Sequence, residues 1–275
     1  MANTVDICFV HLGISIAHLQ NGISIFGFRI AFYGIIIGGI GILAGLWVAT
    51  NDAKRRGQEP ELYLDFTLYA IIFSIIGARI YYVIFDWGNY KDDLLQILNL
   101  RAGGLAIYGG IIGAVLTLTI YTRIKRLSFF SMADSGCLGL ITGQIIGRWG
   151  NFFNCEAFGG YTDNLFAMRI RRALVNESMI SQELLDHLIV EGGTEYIQVH
   201  PTFLYESVWN LCVLSFMLWY RKRKRFDGEV FLIYLLGYGL GRAWIEGLRT
   251  DQLIFFGTGI PVSQALSLKI GRAHV

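Results

Sequence analysis

Charge is scarce in this chain of 275 residues. Asp, Glu, Lys and Arg make up 16% of it, against about 25% in an ordinary soluble domain. Hydrophobic residues supply 54% and the mean hydropathy is positive, so a bilayer protein is expected rather than a water-surrounded globule. A net charge of +2 provides no bulk basic field, and no nucleic-acid partner is expected. Paired cysteines are missing too. Cys8, Cys137, Cys155 and Cys212 are far apart and form no CxxC, which argues against a metal knuckle or a redox pair. Cys155 reads as a small packing residue in preference to a reactive thiol. The first twenty residues lack a basic n-region, and the first long apolar run is too long for the h-region of a cleaved leader. Low-complexity tracts are lacking and no internal repeat is obvious, which weakens an inverted-repeat transporter reading.

What is present is a series of seven apolar segments, roughly Ile23–Thr50, Leu62–Phe85, Gly103–Tyr121, Met132–Trp149, Thr202–Tyr220, Val230–Leu248 and Gly259–Leu268. A spanning helix needs about 20 residues. Six segments reach that length within boundary error and the last is cut short. The expected fold is an all-α polytopic membrane helix bundle with about seven spans. Basic runs set its orientation: Lys54-Arg55-Arg56 after the first span, Arg123, Lys125 and Arg126 after the third, and 221–225 after the fifth. Two spans separate neighbouring runs, so all three share a face, which the positive-inside rule makes cytoplasmic. The N-terminus then lies outside, as does everything between spans four and five. Arg169, Arg171 and Arg172 also fall outside, in a segment long enough for the rule to weaken. Within it, Asn164–Gln198 reads as a small extracytoplasmic head with a strand-like part, Phe166–Ile170, and a helix-like part, Ser181–Val190. Residues 1–268 are expected to form one integral-membrane domain with this head inserted. The tail 269–275 resembles a translated sequencing adapter and is expected to be artefactual, the natural chain continuing as an apolar helix.

The densest chemistry lies in Gly147-Arg148-Trp149-Gly150-Asn151-Phe152-Phe153-Asn154-Cys155-Glu156-Ala157-Phe158-Gly159-Gly160. Ionisable groups at membrane depth cost a few kcal/mol or more (order of magnitude) unless they are paired or meet a ligand. Glycines there let a backbone approach something closely. A purely structural Arg–Glu pair is the plainer alternative. Tyr238, Arg242, Glu246 and Arg249 follow at intervals of four, four and three, which places them on one helix face. Such a stripe must face protein or a wet cavity. By topology Arg242 and Arg148 approach the same outer surface, where a phospholipid headgroup is the available anion and guanidinium grips phosphate with a planar fork. Arg79 reads equally well as a snorkelling side chain or a lipid-phosphate contact. The glycine pairs around Tyr108 suit close helix packing, a broken helix or a backbone touching a ligand. Asp134 and Asp65 read as structural, Asp134 as a helix N-cap. In His200-Pro201-Thr202-Phe203-Leu204-Tyr205-Glu206, Pro201 fits a first helical turn, Glu206 lies one turn inside the membrane and Asn210 one turn further.

These residues resemble a known family. The stretch 147–160 is similar to the signature G-R-x-G-N-F-x-N-x-E-x-x-G of bacterial prolipoprotein diacylglyceryl transferases, through Gly147, Arg148, Gly150, Asn151, Phe152, Asn154, Glu156 and Gly159. HPTFLYE resembles that family's second motif, and GYGLGRAWIEGLR its third. Tyr33 and Arg79 also match. The resemblance covers nearly the whole chain up to Leu268. It implies a seven-span enzyme of the bacterial cytoplasmic membrane, needing no cofactor, with its active site toward the outer leaflet. That enzyme moves a diacylglyceryl group from phosphatidylglycerol to the lipobox cysteine of a prolipoprotein signal peptide and releases glycerol phosphate. Arg148, Arg242, Glu156, Tyr108 and His200 become the catalytic candidates. Tyr33, Arg79, Asn151, Asn154, Gly159, Tyr238, Glu246 and Arg249 become the substrate-binding ones. Some members carry histidine, cast as the base, where this chain has Tyr108. An unperturbed tyrosine has a pKa near 10 and suits hydrogen-bond donation better, which leaves Glu156 and His200 as the other bases. Arg148 and Arg242 are expected to stabilise charge on the departing phosphate, Asn151 and Asn154 to orient the headgroup, and Glu156 to hold an arginine or take the thiol proton. The rivals, a phosphate-solute transporter and a lipid-binding structural protein, predict either an aqueous route to both faces or no turnover.

Overall fold

The computed structural model describes residues 5–17, 23–25, 28–30, 36–100 and 103–250. The helices are α1 (Gly38–Arg55), α2 (Pro60–Phe85), α3 (Ile107–Ile124), α4 (Phe129–Asn154), α5 (Gln182–Asp186), α6 (Thr202–Tyr220) and α7 (Glu229–Ile245), the last continued by a 3-10 turn, Glu246–Leu248. The strands are β1 (Val5–Phe9), β2 (Ile14–Ala17), β3 (Ile23–Ile25), β4 (Phe28–Ile30), β5 (Met168–Arg171), β6 (Ile189–Glu191) and β7 (Thr194–Val199). Helix dominates. By length and composition α2, α3 and α4 can each cross a membrane. The expected seventh span lies outside the described residues.

Two expectations need correcting. The first span does not begin at Ile23: β3 and β4 pair antiparallel there, Ile23 opposite Ile30, and the described helical residues begin with a π-type pair, 36–37, leading into α1 at Gly38. Ser24 and Arg29 alternate with apolar neighbours, a period-two pattern that a hydropathy window averages away. The fold is also not all-α. A five-stranded antiparallel sheet runs in the order β2-β1-β5-β7-β6, and two of its strands come from residues 5–17. The strand expected at Phe166–Ile170 is β5, shifted by two residues at its start. The helix expected over Ser181–Val190 stops at Asp186 and gives way to a hairpin, in which Gly192 and Gly193 supply φ values of 57° and 80°. A two-residue turn with positive φ at both positions matches strand twist.

The chain divides into two compact units. The first draws on Met1–Gly45, Leu138–Lys224 and Leu232–Val275. Its sheet carries two apolar rows on one face. Ile7, Ile170 and Ile197 stand opposite one another, as do Phe9, Met168 and Val199. Both rows pack on Phe152 and Cys155 at the end of α4, on Leu184 and on Phe203 at the start of α6. The head therefore sits on the helix ends that carry the polar motifs. Asp6 is buried in this sheet and pairs with Arg171 at 3.2 Å.

The second unit draws on Leu46–Cys137 and Arg225–Phe231. Here α2 and α3 meet backbone to backbone, and a Cβ added at Gly113 would stand 3.1 Å from Ser74 Cα. That is the packing reading of the span-three glycines, at least for Gly109 and Gly113. Asp134 caps a helix, but not its own. It lies inside α4 and accepts the backbone N–H groups of Gly228 and Phe231, each at 3.0 Å, at the start of α7. The basic run after α1 is less solvated than expected: Arg56 donates to Ser131 and Asp227, and Arg55 pairs with buried Asp52.

Ile170 is buried between two cross-strand partners. Ile170→Ala should destabilise the head by about 2–5 kcal/mol, seen as faster amide exchange across β5 and β7 in detergent. Unchanged exchange would mean the sheet does not rest on this row.

Candidate active site

Arg148 stands near the end of α4, Glu206 on the second turn of α6, and Arg242, Glu246 and Arg249 on or just past the end of α7. The three elements converge on Glu206. Arg148 Nη2 lies 2.7 Å from one Glu206 oxygen and Arg242 Nη1 3.1 Å from the other. Arg242 also pairs with Glu246, and Arg249 Nη1 is 3.9 Å from both Glu206 and Glu246. A carboxylate this deeply buried is stable only if paired. The Glu206 side chain is 4% exposed, whereas those of Arg148 and Arg242 are 19% and 16% exposed. The carboxylate is thus buried more deeply than the two arginines paired with it.

Along the same motif, Arg148 Nη1 reaches Asn151 Oδ1 at 3.4 Å. Asn151 and Asn154 each donate to one Glu156 oxygen at 3.1 Å. The Glu156 carboxylate is therefore held by two amides; of the two expectations, holding an arginine or taking the thiol proton, the first finds no ion pair among the described residues. After α4 the chain turns sharply, with Cys155 and Ala157 at φ 52° and 55°, a region that non-glycine residues seldom adopt. Burial pushes the Cys155 thiol up to about 12. That leaves it an inert packing residue.

Gly159 joins all three motifs. Its N–H donates to His200 O at 3.0 Å, Gly160 N–H to Leu248 O at 2.9 Å, and His200 N–H to Gly160 O at 3.1 Å. A bridge also links Gly159 with Arg249. A Cβ at Gly159 would stand 2.7 Å from His200 Cβ and from Leu248 O, so only glycine fits. Its work is to hold the backbones of the motifs together. The His200 side chain belongs to a neighbouring network: Nδ1 is 3.3 Å from the Tyr205 hydroxyl and 3.5 Å from Asn164 Nδ2, which donates to Tyr205 at 3.0 Å. Tyr238, one turn before Arg242, stacks on Tyr234 at 5.7 Å.

Arg79 and Tyr108 belong to the second compact unit. Arg79 is buried and directs all five N–H donors to backbone carbonyls of Gln96, Ile97, Asn99, Gly103 and Gly104. Neither expectation for this residue included such a role: the guanidinium organises the loop before α3, and its donors are occupied. Gly103 and Gly104, both at positive φ, let that loop fold around it. Tyr108 is half-buried on the first turn of α3. Tyr33 lies outside the described residues.

The family model described as prolipoprotein diacylglyceryl transferase matches residues 20–273. The chain belongs to this family. A phosphatidylglycerol–prolipoprotein diacylglyceryl transferase of Geobacillus kaustophilus is 40% identical over 266 residues, covering 97% of this chain and 88% of the relative. Enzymes of the same name from Bacillus licheniformis and Clostridioides difficile are 43% identical over 237 residues and 41% over 231. They cover 86% and 84% of this chain, and each alignment spans 83% of the relative. Within this transferase the residue that sequence reasoning left out of the site is Glu206. Its depth in the second motif was the available signal.

Burial lowers the pKa of His200, with the charge of Glu183 working against the shift. The ring is therefore neutral at pH 7. On acidification the unfolded chain takes up the proton first, so stability falls as pH drops from the ordinary histidine value of about 6.5 to the lowered folded value, and levels off below it. Thermal melts from pH 7 to 5 should show a steeper loss for wild type than for His200→Gln. Equal slopes would place the titration elsewhere.

Proposed function

We propose that this transferase moves the diacylglyceryl group of phosphatidylglycerol to the lipobox cysteine thiol of a prolipoprotein, releasing glycerol phosphate, the first step of bacterial lipoprotein maturation. The observation that carries this reading is the convergence of Arg148 and Arg242 on Glu206. Two guanidinium groups held by one buried carboxylate, both on side chains that stay partly exposed, form a clamp for a phosphodiester.

The chemistry follows from that placement. The acceptor thiol, with a pKa near 8.5 in water, gives up its proton. The sulfur attacks the glyceryl carbon bonded to the phosphate oxygen. A C–S bond forms, the C–O bond breaks, and the electron pair leaves on the glycerol phosphate. Arg148 and Arg242 stabilise that departing charge in a poorly hydrated site, where fixed donors act most strongly. Asn151 sits between Arg148 and Glu156 and orients the headgroup, with Asn154 beside it. The thiol proton goes to Glu156, His200 or Tyr108. Neutral His200 is competent as a base, and Glu156 is a carboxylate in direct contact with the arginine–amide network. In the membrane this enzyme spans the bilayer seven times, with the N-terminus and the sheet outside and the clamp at the outer leaflet, as the three basic runs indicate.

Arg148→Ala or Arg242→Ala should each lower transfer from labelled phosphatidylglycerol to a lipobox peptide by at least about 10²-fold, with the protein still present in the membrane. A Cys→Ser peptide serves as the control. Near-normal transfer by both variants would sink the clamp. Comparing Glu156→Gln, His200→Ala and Tyr108→Phe in the same assay identifies the proton acceptor as the variant whose loss shrinks with rising pH.

A further inference from the structure

One helical turn from the clamp lies a second polar layer. Its level follows from the packing of α4, α6 and α7. On the α4–α6 side, Phe152 faces Phe203, Arg148 meets Glu206, and the Ser207 hydroxyl donates to Ile145 O at 3.1 Å. On the α6–α7 side, Glu206 meets Arg242 and Trp209 Nε1 donates to Gly237 O at 2.8 Å. Both pairs are antiparallel. Stepping one turn away from the sheet reaches Gln144 on α4, Asn210 on α6 and Tyr238 on α7, with Tyr234 beneath. Gln144 Nε2 donates to the Tyr234 hydroxyl at 3.0 Å. Asn210 is 2% exposed, yet among the described residues its Nδ2 has no hydrogen-bond partner. Gln144 Oε1 is likewise buried and without a partner among the described residues.

An orphaned amide N–H in an apolar bundle is costly, and at bilayer depth no bulk water relieves it. It wants an acceptor that arrives from outside the protein. The lipid supplies one at the right depth. In a diacylglyceryl phospholipid the acyl-ester carbonyls hang a few bonds below the phosphate, on the scale of one helix turn, about 5.4 Å. We propose that Asn210 Nδ2 binds an acyl-ester carbonyl of the diacylglyceryl substrate while the Arg148–Arg242 pair holds its phosphate, making Asn210 a specificity-determining residue for ester-linked lipid. This rests on the clamp reading above.

The test crosses one protein change with one lipid change. Purified wild-type enzyme and Asn210→Leu are assayed with ester-linked phosphatidylglycerol and with its ether-linked analogue, which keeps the headgroup and chains but lacks the carbonyls. The wild type should show a KM about tenfold lower for the ester lipid, the size of one hydrogen bond. Asn210→Leu should raise the ester KM to the ether value and leave the ether KM unchanged, with kcat little altered on either. A wild type indifferent to the linkage overturns the proposal. So does a variant that keeps the preference, or one that loses equally on both lipids, which is the mark of a structural or water-binding role. Asn210→Ala is the substitute if the leucine variant does not accumulate, and the wild-type comparison of the two lipids is decisive without any variant. Failure of the clamp itself would show separately, as transfer by Arg148→Ala.

Discussion

A buried carboxylate shared by two arginines governs this molecule. Glu206 is almost sealed from solvent; one oxygen forms an ion pair with Arg148 from α4 and the other accepts a hydrogen bond from Arg242 of α7. Removing one partner of a buried pair strands the other, at about 3–5 kcal/mol. The three helices are thus tied at one level, and the rest of the site is placed relative to that tie. Arg148 fixes Asn151, which fixes Glu156; Glu246 steadies Arg242 from its own helix. The two guanidinium groups are pre-set against carboxylates that never leave, an arrangement that needs little reorganisation to meet developing negative charge.

Backbone contacts finish what the ion pairs begin. The three polar motifs are remote in sequence and adjacent in space because Gly159 and Gly160 exchange hydrogen bonds with His200 and Leu248. The glycine at 159 is required by contact, with no room for a Cβ, and not by a positive φ. Within this motif Cys155 and Ala157 have positive φ and turn the chain from the end of α4 into that junction.

Much of this was legible. Helix positions followed from apolar runs, and the boundaries of α6 fell where Thr202 and Tyr220 placed them. The spacing of Tyr238, Arg242, Glu246 and Arg249 predicts one helix face, but α7 ends at Ile245, leaving Glu246 on a 3-10 turn and Arg249 extended past it. What the sequence hid depends on partners far away. Arg79 looks like a snorkelling side chain or a phosphate contact until five loop carbonyls are seen around it. Asp134 looks like the cap of its own helix, yet it caps α7 from within α4. The strands of residues 5–17 carry only a short alternation, and their identity comes from pairing with β5, which no local window contains. Glu206 was visible as a buried acid, but its role is relational.

The sheet order has a consequence for biosynthesis. β1 is an interior strand of the sheet, yet one of its two neighbours, β5, lies beyond α4 in the chain, and β7 beyond that. β1 must therefore wait, with one edge open, while α1 to α4 are made. Closing so long a loop is entropically slow, and an unpaired apolar strand invites wrong partners meanwhile. The sheet can thus close only after α4, the helix bearing Arg148, has been made, whereas α7 with Arg242 follows its last strand in the chain.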